Sequence, residues 1–73
     1  MDIDKTIEQI ERRLRDYRWF SCIGEGVDET IIIYVKDDGL YEKGIIEKIM
    51  KDYTDNYDVI KLAMYSPGGG RNV

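Results

Sequence analysis

The chain has 73 residues, one cysteine and no histidine, and its formal net charge is −4 at pH 7. This length allows one domain, a single cysteine excludes an internal disulfide, and a zinc site without histidine or a second thiol would be unusual. A lone cysteine is typical of a reducing compartment, and no apolar run approaches the roughly 18 residues of a membrane span, so we expect a soluble, cytoplasmic protein.

The first predicted element is an amphipathic helix over residues 3–18. Apolar side chains recur there at helical spacing, at Ile3, Ile7, Ile10, Leu14 and Tyr17. Asp2 or Asp4 can cap its start, because a short carboxylate accepts the free amide hydrogens of a first turn.

Two strands are predicted next, over residues 19–23 and 30–35. The second strand is almost purely β-branched, which strongly favours extended backbone. The interval between them, from Gly24 to Glu29, contains two glycines and predicts a hairpin loop.

A second helix, over about residues 40–53, is predicted after the turn formed by Asp37, Asp38 and Gly39. A third strand follows over residues 59–65, and Pro67 stops it. The three glycines after Pro67 indicate a flexible tail over residues 67–73.

The element order α-β-β-α-β predicts an α+β domain over residues 1–66, with a small three-stranded sheet and both helices packed on one face. This order resembles a ferredoxin-like two-layer sandwich without its first strand. The pattern leaves open whether strand three lies beside strand one or beside strand two.

Three features could carry chemistry, and each has a simpler structural explanation. Asp37 and Asp38 suit a turn and a helix cap, and Cys22 has no imidazole in the chain to activate it, so we expect a buried structural thiol. The acidic alternation over residues 52–58 resembles the start of a calcium loop, but Tyr57 stands where that loop needs glycine. We therefore predict no catalytic residue, no metal and no cofactor.

The strands themselves are the informative feature, because they do not alternate cleanly between apolar and polar residues. Two short helices can cover one face of such a sheet, so the other face should keep an apolar cluster. We expect that cluster to bind a partner, since large exposed apolar patches mark binding surfaces. Its predicted members are Trp19, Ile23, Ile32, Tyr34, Val59 and Tyr65.

The sequence therefore predicts a small acidic protein–protein interaction module: a homodimer, an adaptor or an inhibitor, with a phage or host-defence inhibitor as one case. One alternative is a single-stranded nucleic-acid binder that stacks bases on Trp19, Tyr34 and Tyr65. The acidic net charge argues against nucleic acid. A small ligand-binding regulator is the other alternative, and no membrane partner is expected.

Overall fold

The computed structural model describes residues 2–36 and 42–62. Its main elements are α1 (Ile3–Leu14), β1 (Phe20–Glu25), β2 (Ile31–Lys36), α2 (Lys43–Met50) and β3 (Tyr57–Leu62). The predicted order α-β-β-α-β and the α+β class are confirmed. Neither helix in these ranges is long and apolar enough to cross a membrane.

The three strands form one mixed sheet with β2 in the centre. β1 pairs with β2 in antiparallel orientation, as a hairpin requires, and β3 pairs with β2 in parallel orientation. A parallel neighbour needs a crossover connection, and α2 lies within that crossover. Strand three therefore lies beside strand two, which the sequence alone did not decide.

Helix α1 begins as predicted and ends earlier, at Leu14. The backbone N–H of Lys5 donates to the Asp2 carboxylate at 3.3 Å, which caps the first turn. Beyond Leu14 the chain forms turns, and the rings of Tyr17 and Trp19 stack with centroids 4.9 Å apart. Residues two apart do not face each other on a helix, so this stack requires the helix to end.

The hairpin loop turns at Asp28 and Glu29, not at the glycines. These two residues have φ of 52° and 60°, and the N–H of Thr30 donates to the carbonyl of Val27 at 2.9 Å. Positive φ at both central residues is the signature of a type I′ turn, which usually contains asparagine and glycine. β1 extends through Gly24 to Glu25, so the loop is shorter than the predicted interval.

The core lies between the sheet and the helices. Its buried members are Ile10, Leu14, Trp19, Ile31, Ile33, Val35, Ile46, Ile49 and Met50. Each fully buried aliphatic side chain contributes about 1.5–3 kcal/mol relative to its exposed state, so this one cluster holds the domain together.

Polar contacts join the elements at the surface. Arg13 of α1 donates to the Asp52 carboxylate at 3.0 Å, just after α2. Asn56, just before β3, donates from its side-chain amide to the carbonyl of Asp28 at 3.1 Å. Asn56 thereby fastens the hairpin turn to the start of β3.

Several sequence-based predictions fall outside the described residues. These are the Asp37–Asp38 turn, the first part of the predicted second helix, the end of the predicted third strand and the tail over residues 67–73. Within the described part, α2 ends at Met50 and β3 begins at Tyr57, two residues before its predicted start.

Candidate functional site: the open face of the sheet

The central strand divides the sheet into two faces. Ile31, Ile33 and Val35 are fully buried beneath the helices, on what we call the covered face. The alternate residues Ile32 and Tyr34 are partly exposed. They point to the opposite side, which we call the open face, because side chains alternate across a strand.

The register of the sheet fixes which residues share the open face. In β1, Cys22 pairs with Tyr34 and Gly24 pairs with Ile32. In β3, Asp58, Ile60 and Leu62 pair with the open-face residues of β2. The described members of the open face are Cys22, Gly24, Ile32, Tyr34, Lys36, Asp58, Ile60 and Leu62.

The centre of the open face is apolar and its charges lie at the two ends. Tyr34 occupies the middle of the central strand, between Cys22 and Ile60. Ile60 and Leu62 are 42% and 38% exposed, which is unusual for large aliphatic side chains in a strand. Asp58 lies at one end of the strands and Lys36 at the other.

Gly24 places no side chain on this face, opposite Ile32. A Cβ atom built on Gly24 would meet no heavy atom within 4 Å.

Of the six residues that the sequence assigned to this face, Ile32 and Tyr34 lie on it. Tyr65 is outside the described residues. The placement of the other three, Trp19, Ile23 and Val59, was wrong, since all of them belong to the core cluster or pack against it.

Trp19 is 3% exposed and belongs to the core itself. It precedes β1 and lies in the turns after α1, so strand alternation does not govern its direction. Its ring stacks on Tyr17 and is buried in the core. A buried aromatic ring contributes more to the stability of the fold than one left in solvent.

Ile23 is turned to the covered face by a β-bulge. The register shifts between Phe20 and Cys22, so that Phe20 pairs with Val35 while Ile23 pairs with Ile33. Both residues consequently pack on the core although they lie three positions apart. An extra residue in one strand reverses the alternation of side chains beyond it. Strict alternation along β1 therefore assigns Ile23 to the wrong face of the sheet.

Val59 lies on the covered face because it pairs with Ile33. The sequence of β3 is apolar at both Val59 and Ile60, so its pattern does not identify the buried face. The prediction chose the face with Ile60 and Leu62 as the core side, and the register reverses that choice.

Among the open-face residues that the sequence-based prediction missed are Cys22, Ile60 and Leu62. Cys22 is exposed, so the prediction of a buried thiol was wrong. Its position opposite Tyr34 follows from the bulge. The signal that could have identified Ile60 and Leu62 is Tyr57, an apolar ring two residues before Val59 that extends the covered-face pattern.

Three residues of the calcium-like pattern, Asp52, Thr54 and Asn56, make structural hydrogen bonds. Asp52 accepts a hydrogen bond from Arg13. The side chain of Asn56 accepts from the Thr30 hydroxyl at 3.2 Å, and its backbone N–H donates to the Thr54 hydroxyl at 3.0 Å. Within residues 2–36 and 42–62, no group of three histidine, cysteine or acidic side chains is arranged to hold a metal ion.

The register brings apolar and polar groups together on the open face. Its groups are aliphatic side chains, one phenol, one thiol and two charges at opposite ends. Comparison of the chain with protein-family models, with curated proteins and with solved structures gives no significant match.

Proposed function

We propose that this protein is a protein–protein interaction module that binds its partner through the open face of the sheet. The observation that carries the proposal is the exposure of Ile60 and Leu62 beside Tyr34, on a face that neither helix covers. An apolar patch of adjacent strands gains free energy when a partner removes it from water.

The small size of the face limits the apolar area that a partner can bury on it. Three strands of six residues span about 14 Å by about 20 Å, which is roughly a third of the 800 Å² that each partner contributes to a standard stable interface. We therefore expect micromolar or weaker binding, unless the partner also contacts surfaces beyond the sheet.

A homodimer, an adaptor and an inhibitor all remain compatible with this face. Nucleic acid is less well supported, because Trp19, one of the three rings of the predicted base-stacking platform, is buried. The face also presents the Asp58 carboxylate, which repels phosphate. Tyr34 is the remaining ring of that platform within the described residues.

The test is differential capture with charge-matched variants. Ile60→Glu places a carboxylate beside Tyr34 on the open face, and Gln9→Glu places one at an exposed position of α1. We expect the unmodified chain and Gln9→Glu to retain the same partner from cells of the source organism, and Ile60→Glu to lose it. If the partner is a second copy, sedimentation of the purified chains should give a dimer for the unmodified chain and for Gln9→Glu. Ile60→Glu should then sediment as a monomer.

Both variants must first unfold in urea with midpoints near that of the unmodified chain, so that loss of binding is not loss of fold. Retention of every partner by a folded Ile60→Glu chain would contradict the proposal. Equal losses of partner binding by Ile60→Glu and Gln9→Glu would also contradict the proposal, because the net charge and not the open face would then govern binding.

A further inference from the structure

We draw no further inference here: the strongest candidate, the open groove between α2 and β3 on the covered side of the sheet, carries nothing, because Lys43 in its lining already pairs with Glu47 of the same helix and nothing in the structure shows what covers it.

Discussion

Ile33 and Tyr34 are consecutive residues of the central strand, and they face opposite sides of the sheet. Ile33 is fully buried beneath the helices, whereas Tyr34 lies partly exposed at the middle of the open face. The packing of the domain therefore depends on Ile33 and leaves the ring of Tyr34 available to a partner.

This relationship predicts opposite consequences for two alanine substitutions. Ile33→Ala leaves a cavity in the core and should lower the free energy of unfolding by about 2–5 kcal/mol. Tyr34→Ala should lower it by about 1 kcal/mol and should weaken association with the partner by more than that. Urea denaturation at fixed protein concentration measures the loss of unfolding free energy for each variant. If Tyr34→Ala costs as much as Ile33→Ala, then Tyr34 belongs to the core.

Trp19 is expected to behave as a core residue. Replacement of a buried aromatic ring by alanine typically costs about 3–5 kcal/mol, so Trp19→Ala should unfold much of this small domain at 25 °C. In the native chain the single tryptophan should emit at short wavelength and resist quenching by acrylamide. Emission typical of a solvated indole, unchanged on unfolding, would show that Trp19 is exposed after all.

The order of the elements could be predicted because each local signal is strong. The apolar spacing of α1 and the β-branched run of β2 leave little choice of structure. The faces of β1 and β3 could not be predicted in the same way. A bulge at Ser21 and Cys22 reverses the alternation of β1, and the register with β2 decides the faces of β3.

The same reasons explain the partial prediction of the candidate site. Ile32 and Tyr34 follow from alternation with the buried residues of β2, which has no bulge. Val59 and Ile60 are both apolar, and the parallel register with β2 places Ile60 on the open face. Long-range pairing, and not local propensity, therefore determines the outer part of the open face.

The hairpin turn offers a stabilising substitution. Glu29 has φ of 60°, a conformation that glycine adopts without strain and other residues adopt at a cost. Glu29→Gly should therefore raise the free energy of unfolding by about 0.4–1 kcal/mol. Lys51→Gly is the control, because Lys51 is exposed and has φ of −56°. That change should destabilise the domain in the same urea experiment.

Tyr57 predicts a loss of stability at alkaline pH. Its pKa is raised above the ordinary value of 10.0, chiefly by burial. The folded state therefore favours the neutral phenol, and this contribution is complete below the unfolded pKa and is lost as the pH rises through the folded one. Above pH 10.0 the free energy of unfolding should fall more steeply for the native chain than for Tyr57→Phe. Parallel curves for the two chains would contradict this explanation.

The open face can be tested most directly by photo-cross-linking in cells of the source organism. The amino acid p-benzoylphenylalanine replaces Tyr34 in one chain and Tyr53, a partly buried ring beside Arg13 at the helix layer, in another. We predict a discrete adduct with a partner, or with a second copy of the chain, from position 34 and none of that mass from position 53. The same adducts from both positions, or none from position 34 in a folded chain, would contradict binding through the open face.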